Sequence, residues 1–473
     1  MADINKAIKP VESVRIAPLN DGSLYQANRE IKFRLGAGLD MFLVNKSYLT
    51  FDLKVEKDDF KTALDNSTDA FTLTDSYIRN ANNIFRTVEV YYGGDCIYTT
   101  KVQNIQQNTL KMLNYGDDYL DANWATYTTT NLVKQGRAHL KISNGARQTG
   151  TGATNTTLSR ADQTIHNIQI PLNQLIPFWM DVDSNGFPMR SLNQQIEIRL
   201  YVADPYLYIV DWDKTIKDFS YNTLAPDPAT KAGTSFPTNI KDRFPSNKIT
   251  LENVYIYANY YTPDANEAAI IDDKCANGSY KLRYNTWEFD ERQVDSIKTT
   301  NNLPFTVVTS NTKSIVSYCF KKQTSPSVMY RPNINNLQMK FTPHVAPLQP
   351  IAGNTMDTPH EYKFQVDDVF NNIDTYFTST NTDYNQCYQY EASGTAGTAV
   401  TKPSSTFVLF GLNYVSDPTD LGADSSDWNS QYQLNFNAAA TDDAGGAGLQ
   451  FVVGVNVENG LIIKENKIFT FTL

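Results

Sequence analysis

The chain has 473 residues, of which 41% are hydrophobic, and its formal net charge at pH 7 is −10. This length exceeds what a single hydrophobic core usually serves, so two large domains are expected. The acidic balance argues against a protein that coats nucleic acid through Lys and Arg, and no specific nucleic-acid binding is predicted. Tyr and Phe, with 28 and 24 copies, suit half-buried pleated surfaces and favour β structure.

Residues 1–27 show no strand alternation and are mildly basic, and we interpret them as an extended arm. An arm of this composition is expected to act in assembly rather than in folding, because it cannot bury enough apolar surface to order itself. The first half of the chain, 28–262, then carries β-like runs. The predicted strands are Glu30–Leu35, Tyr48–Val55, Ile84–Tyr92, Asp95–Thr100, Ile196–Val202 and Ile249–Tyr261. Gly93-Gly94 between two of them predicts a hairpin.

Three short helices are predicted. Near-helical spacing of apolar residues indicates one at Lys101–Leu113, and a proline precedes another at Leu172–Phe178. Thr262 is expected to cap a third helix, which has proline at its first position and acids in its first turn. We place the domain boundary at this linker helix, 263–274, so that 263–473 forms the second domain.

The second half repeats the pattern of short strands and long polar loops. Its predicted strands are Tyr280–Phe289, Phe305–Ser310, Ser314–Lys321, Leu337–Thr342, Thr406–Leu412 and Gln431–Asn437, followed by a terminal hairpin. Roughly eight or nine strands in each half fit the eight strands of a jelly roll. Periodicity alone does not separate a jelly roll from another sandwich of that size.

The terminal hairpin carries the strongest turn signal in the chain. Asn459-Gly460 lies between apolar runs, and this dipeptide favours a type I′ turn because both central residues need φ > 0. In the last strand Phe469, Phe471 and Leu473 share one face. We expect that face to bury its two aromatic rings.

Chemistry-bearing motifs are scarce. The chain contains no phosphate-binding loop, metalloprotease helix or nucleophile elbow, and its four histidines share no ligand spacing. Asp181, Asp183 and Asn185, with a glycine next, match the front half of a calcium loop, but Leu192 stands where the bidentate acid belongs. We interpret the segment as an Asx-rich turn, with a calcium turn as the less favoured alternative. No catalytic residue, metal site, cofactor or enzyme activity is predicted.

Cysteine usage and apolar runs bear on the compartment. Cys96, Cys275, Cys319 and Cys387 lie far apart without a CxxC pair, so free thiols in a reducing compartment are expected. No signal-peptide core is visible at the start, and no run reaches the 18 apolar residues of a membrane span. We expect synthesis and assembly in the cytoplasm or the nucleus.

Five segments together resemble a known family. They are IKFRLGAGLDMFLVNKSYLTFDLKV, NIFRTVEVYYGGDCIYTTKVQNIQQNTLKML, IQIPLNQLIPFW with FPMRSLNQQIEIRLYVAD, ITLENVYIYANYYTPDANEAAII, and LQFVVGVNVENGLIIKENKIFTFTL. Their order resembles that of the double jelly-roll major capsid proteins of double-stranded DNA viruses, in particular the branch of polinton-like viruses and virophages. The resemblance covers most of the chain from Ile31 onwards, through diffuse patterns rather than an invariant signature.

The resemblance implies both a fold and a role. The fold is all-β: two eight-stranded antiparallel sandwiches side by side, with a few short helices. The role is a major capsid protein of the virion, made in the host cytoplasm or nucleus, whose homotrimers form pseudo-hexameric capsomers that tile an icosahedral shell. Implied partners are neighbouring capsomers, penton and minor capsid proteins, and the capsid interior for the arm. The alternatives are a carbohydrate- or receptor-binding β-sandwich protein, or a minor capsid protein of the same virus class.

Overall fold

The structure is a computed structural model, and part of the chain is described. The described residues are 11–20, 22, 24–36, 40–56, 58–61, 76–78, 81–102, 105, 140–142, 157–160, 162–179, 182, 186–213, 218–220, 244–294, 300–306, 312–321, 334–341, 344–351, 410–413, 432–438 and 448–472. Nearly all of the predicted helix at Lys101–Leu113 lies outside these residues.

The first half of the chain forms sixteen strands within the described residues. They are β1 (Val11–Ile16), β2 (Glu30–Leu35), β3 (Met41–Phe42), β4 (Tyr48–Val55), β5 (Asp58–Lys61), β6 (Ser76–Ile78), β7 (Phe85–Tyr92), β8 (Asp95–Thr100), β9 (Leu140–Ile142), β10 (Thr157–Arg160), β11 (Gln163–Pro171), β12 (Phe187–Pro188), β13 (Ile196–Val202), β14 (Ile209–Asp213), β15 (Asp218–Ser220) and β16 (Ile249–Tyr261). The six strands predicted here are confirmed within one residue at each end.

Short helical segments connect these strands. They are α1 (Leu172–Leu175) and the 3-10 turns Val44–Lys46, Ala81–Ile84, Pro177–Trp179, Met189–Ser191, Pro205–Leu207 and Ser246–Lys248. The helix predicted at Leu172–Phe178 is therefore confirmed as one α-turn followed by a 3-10 turn. Its side chains are all buried, which explains why so short a helix is stable.

Two large antiparallel sheets build the first sandwich. One has the order β11-β4-β16-β3-β12, with β1 added on β16, and the other has the order β2-β13-β7-β8. Phe51 on β4 meets Phe85 on β7 edge to face, with ring centroids 5.8 Å apart, so the two sheets pack through their aromatic inner faces. Two smaller sheets, β10-β5 and β15-β14-β6-β9, complete the half.

The second half adds nine described strands. They are β17 (Tyr280–Val294), β18 (Thr300–Phe305), β19 (Thr312–Lys321), β20 (Ile334–Phe341), β21 (His344–Ile351), β22 (Phe410–Asn413), β23 (Tyr432–Ala438), β24 (Leu449–Lys464) and β25 (Lys467–Thr472). One sheet has the order β17-β24-β19-β22 with β25 on β24, and the other has the order β18-β23-β20-β21. Among the described residues, no strand of one half pairs with a strand of the other.

Several strand boundaries of the second half differ from expectation. β19 begins two residues before the predicted Ser314, and β20 begins three residues before the predicted Leu337. Of the strand predicted at Thr406–Leu412, residues 410–412 belong to β22 and residues 406–409 lie outside the described part of the chain.

Of the strand predicted at Phe305–Ser310, Phe305 is the last residue of β18, which begins at Thr300, and residues 307–310 lie outside the described part of the chain. Pro304 lies inside β18, a position that a proline tolerates because β18 pairs only with β23 among the described strands. The predicted strand at Tyr280 extends five residues further, to Val294, because β24 pairs with it along its whole length.

The linker helix begins two residues later than predicted. Helix α2 (Ala265–Asn277) has Asp264 as its N-cap, and the Asp264 carboxylate accepts hydrogen bonds from the backbone N–H groups of Asn266 and Glu267 at 3.0 and 2.9 Å. The prediction of Thr262 as the cap was wrong, since its hydroxyl donates to Asp40 instead. Gly278 ends the helix in the left-handed conformation, with φ of 80°.

The predicted turn at Asn459-Gly460 was also wrong. β24 runs straight through it, with Asn459 opposite Tyr284 and Gly460 opposite Arg283 on β17. The turn to β25 falls at Glu465-Asn466, both with positive φ, 52° and 60°. Gly460 has a packing role instead, because the ring of Phe471 occupies the space that a Cβ would take. Gly93-Gly94, by contrast, forms the predicted hairpin between β7 and β8.

Part of the expected arm is folded. β1 pairs antiparallel with β16, from Val11 opposite Tyr261 to Ile16 opposite Ile256. Further along, Tyr25 is buried at 5% exposure and its hydroxyl donates to the Asn20 carbonyl at 2.8 Å. The prediction that the whole of 1–27 lacks strand structure was therefore wrong. Pairing with a long strand orders β1, whereas local composition alone would not.

Candidate functional site

The two halves meet along a seam of aromatic side chains. Phe178, in the 3-10 turn after α1, contacts Tyr284 of β17 with ring centroids 5.8 Å apart, and Phe187 of β12 contacts Tyr280 at 6.3 Å. Phe178 is fully buried and Tyr284 is 4% exposed. The seam is therefore a continuation of the hydrophobic core rather than a solvated crevice.

Polar groups also connect helix α2 to the first half across the seam. The Arg190 guanidinium donates to both oxygens of the Asp272 carboxylate at 3.3 and 3.4 Å, and the Ser191 hydroxyl donates to the same carboxylate at 2.6 Å. Next to this cluster, burial raises the pKa of the Cys275 thiol to about 11. Cys275 therefore stays protonated at neutral pH and acts as a packing residue.

The turn between β24 and β25 is bound to the first half as well. The carbonyl of Asn466 accepts a hydrogen bond from the Tyr92 hydroxyl at 2.8 Å and another from the Asn193 N–H at 3.1 Å. The Tyr92 hydroxyl lies 2.6 Å from the Asn193 amide oxygen. These bonds fix the position of β25 relative to the first sandwich.

A cleft of about 340 Å³ opens beside the seam, between β8 and β17. Its polar groups partly satisfy one another: the Asn459 amide donates to the Thr286 hydroxyl at 2.5 Å. Partial desolvation raises the pKa of the Glu288 carboxyl, although its side chain keeps contact with solvent, and burial raises the pKa of the Cys96 thiol. A protonated thiol is a poor nucleophile, so the cleft holds no activated cysteine.

The sequence-predicted calcium turn cannot be placed. Asp181, Asp183 and Asn185 lie outside the described residues, so the interpretation as a turn stays a prediction. Gly186 has φ of 83°, and a Cβ there would lie 2.8 Å from the Phe42 carbonyl oxygen, so this position requires glycine. Within the described ranges, no three His, Cys, Asp or Glu side chains lie close enough together to hold a metal ion.

The one described histidine side chain has a structural contact. His166 Nδ1 lies 3.3 Å from the carboxylate of Asp52, and the histidine is mostly exposed. Burial alone would raise the pKa of Asp52, but hydrogen bonds from the Asn253 amide and the Asn167 N–H outweigh it and hold the pKa below its usual value. Asp52 thereby stabilises the bulges of β11 and β16 opposite β4.

The last strand does not bury its aromatic face. Phe469 is 48% exposed and Phe471 is 36% exposed, so the expectation of two buried rings was wrong for the single chain. Leu473 lies outside the described residues. Sequence analysis missed this exposed surface. Lys281 and Arg283 alternate with buried residues on β17, and this pattern indicates that the face they share with the last strand is exposed to solvent.

The fold is that of viral capsid proteins with a double jelly roll. The PBCV-1 virus capsid superposes over 98% of this chain and 97% of its own, with a TM-score of 0.53 and 9% identity. The Sputnik virophage structure gives 0.50 at 13% identity over 98% and 88%, and the mavirus major capsid protein gives 0.50 at 12% over 97% and 90%. The all-β double jelly roll expected from the sequence is confirmed.

The likeness lies in structure and not in sequence. No protein-family model and no curated protein matches the chain. At identities this low, the superpositions establish the fold. None of the helices in the described part of the chain is long and apolar enough to cross a membrane.

Proposed function

We propose that the chain is a major capsid protein of a virion. The observation that carries the proposal is the side-by-side joining of two β-sandwiches in one chain, which superposes end to end on capsid proteins of several viruses. The role is structural rather than enzymatic. A shell subunit needs a rigid body with fixed edges, and the aromatic seam and its hydrogen bonds supply that rigidity.

The proposed domain boundary lies at 262/263, with 28–262 as the first roll and 263–473 as the second. Sheet pairing supports it, because strands pair only within their own half in the described residues. The first roll takes in β1 as well, which reduces the candidate assembly arm to the segment before Val11.

The proposed assembly is a homotrimer that forms a pseudo-hexameric capsomer. Two similar domains in each of three subunits give the closed ring six edges. Such a capsomer would contact neighbouring capsomers in an icosahedral shell, together with penton and minor capsid proteins. The calcium turn at Asp181, Asp183 and Asn185 has no part in this proposal.

Light scattering and negative-stain microscopy of the purified protein test the function. We expect a mass three times the 53.3 kDa of the chain and particles with six-sided outlines. The alternative, a carbohydrate- or receptor-binding sandwich, predicts a monomer or a small oligomer with a ligand pocket. A strict monomer at all concentrations would overturn the capsid proposal.

A further inference from the structure

The outward face of the last strands has a regular composition. Residues directly opposite one another in an antiparallel sheet point to the same side. Across β17, β24 and β25 this gives two rows: Lys281, Ile462 and Phe469 in one, and Arg283, Gly460 and Phe471 in the next. We call this surface, together with Lys464 and Lys467 at the turn, the terminal face.

The terminal face is both apolar and basic. Phe469 and Phe471 are exposed, Ile462 is half-buried, and all four Lys and Arg residues of the face are exposed. Its opposite side is buried, since Leu461 and Ile463 are fully covered. Two exposed rings next to each other on a rigid strand are a costly arrangement for a single soluble chain, and such patches usually mark an interface.

The edge strand β25 also suits an interface. Within the described part of the chain, β25 pairs only with β24, and no described strand lies along its second edge. Proteins usually protect such edges with a proline, a bulge or an inward-pointing charge. β25, with the sequence KIFTFT, has a lysine at its first residue and none of these devices within the strand.

The charge of the face indicates what covers it. Two acids lie with the four cations of the face: Glu458, 3.7 Å from the Arg283 guanidinium, and Glu465 in the turn. The face is therefore net basic, whereas the chain as a whole carries −10, so the remaining surface is strongly acidic. A second copy of this chain therefore offers complementary charge. The face does not suit itself as a partner, because placing two identical basic faces together would bring like charges into contact.

We propose that the terminal face is the self-association surface of this protein and binds a different, acidic surface on a second copy. Contacts between unlike surfaces generate rings when the rotation closes, so this arrangement produces a cyclic assembly such as a trimer rather than a two-fold dimer. The inference rests on the proposed capsid function, because it names the contact that builds the capsomer.

The first experiment replaces exposed aromatic residues. Phe469→Ser, and the double variant Phe469→Ser with Phe471→Ser, are compared with Ile270→Ser, which removes a more exposed apolar side chain (58%) on helix α2, outside the terminal face. We expect the aromatic variants to elute as monomers under conditions where the wild type and Ile270→Ser are trimers. Circular dichroism in the near ultraviolet confirms that each variant is folded.

The second experiment reverses charge without touching an apolar residue. Lys281→Glu with Lys467→Glu is expected to raise the trimer dissociation constant at least tenfold at low salt, and added salt is expected to weaken the wild-type trimer. Should the aromatic variants fail to fold, this exposed pair still tests the surface.

The outcomes separate the two proposals. A wild type that is monomeric at all concentrations overturns the capsid function, whereas trimers that persist in both sets of variants overturn only the role of the terminal face. A basic face could also bind nucleic acid, and treatment of the wild type with nuclease tests this alternative. Trimers that dissociate on this treatment would show that nucleic acid, and not a second copy, covers the face.

Discussion

Two glycines in β24 shape the surface of the last sheet. A Cβ on Gly454 would lie 2.5 Å from the Phe289 ring, and a Cβ on Gly460 would overlap the Phe471 ring. Aromatic rings on neighbouring strands thus fill the space above each glycine, which compensates for the poor strand propensity of glycine.

Replacing each glycine by alanine should have unequal effects. Gly454→Ala is expected to cost about 1–3 kcal/mol of unfolding free energy, because the Phe289 ring stacks on Trp287 at 6.2 Å and has little room to move. Gly460→Ala should cost less, since the Phe471 ring is partly exposed and can rotate outwards. Urea unfolding compares the two variants, and equal losses would contradict the ring-packing explanation.

Glu288 is expected to make the stability of the fold depend weakly on pH, because its side chain is partly desolvated but still exposed. Desolvation raises the pKa of its carboxyl above the ordinary 4.5. An acid whose pKa is raised by folding weakens the fold when it ionises, so stability falls as pH rises from 4.5 through the raised value. Glu288→Gln should therefore melt at a higher temperature than the wild type at pH 7 and at the same temperature at pH 4. A difference independent of pH would contradict this assignment.

At the scale of elements, strand pairing explains both the successes and the failures of sequence analysis. β13 alternates buried and half-exposed residues, and its bounds were predicted correctly because one face is wet. The turn prediction at Asn459-Gly460 failed because this dipeptide occurs both in hairpin turns and in strands where glycine leaves room for a neighbouring ring. Only the pairing with the adjacent strands shows which of the two structures forms. The terminal face was missed for a related reason: burial of Phe469 depends on a second chain.

Strand β1 is the element for which the structure differs most from the sequence-based prediction. Arg15 stacks on the Tyr255 ring at 3.4 Å, and Val14 and Ile16 pack against the core. Pairing with β16 therefore gives β1 both backbone and side-chain contacts, although its composition predicted a loose arm.

Two truncations test whether β1 belongs to the fold. Removing residues 1–16 is expected to lower the melting temperature by about 2–4 °C for each kcal/mol of lost contact, and to favour aggregation through the exposed edge of β16. Removing 1–10 retains every described contact of β1 and should melt like the full chain. If both truncations melt alike, β1 contributes nothing to stability, and the original interpretation of an arm would stand.

At the scale of the whole molecule, the seam decides whether the two rolls behave as one body. Phe178 lies at its centre, with Tyr98 and Trp179 on the side of the first roll at 6.2 and 5.3 Å and Tyr284 on the side of the second. Phe178 thus packs at once against side chains of both rolls, so its loss should weaken the coupling between them.

Phe178→Ala should lower stability by about 3–5 kcal/mol and split one calorimetric transition into two. Phe33→Ala provides a matched control, because Phe33 is equally buried but lies inside the first sandwich. It should lower the transition temperature without splitting the transition. A single transition in the Phe178 variant would show that the rolls are coupled elsewhere.

The long pairing of β17 with β24 also constrains when the protein can fold. A ribosome releases β17 well before β24, yet β24 is the partner of both β17 and β19. The second roll therefore has no central strand during most of translation, whereas the first roll has all its strands once β16 emerges. Such distant pairing makes folding slow and leaves unpaired strands exposed to chaperones. The first roll, complete early, can serve as the template on which the second one closes.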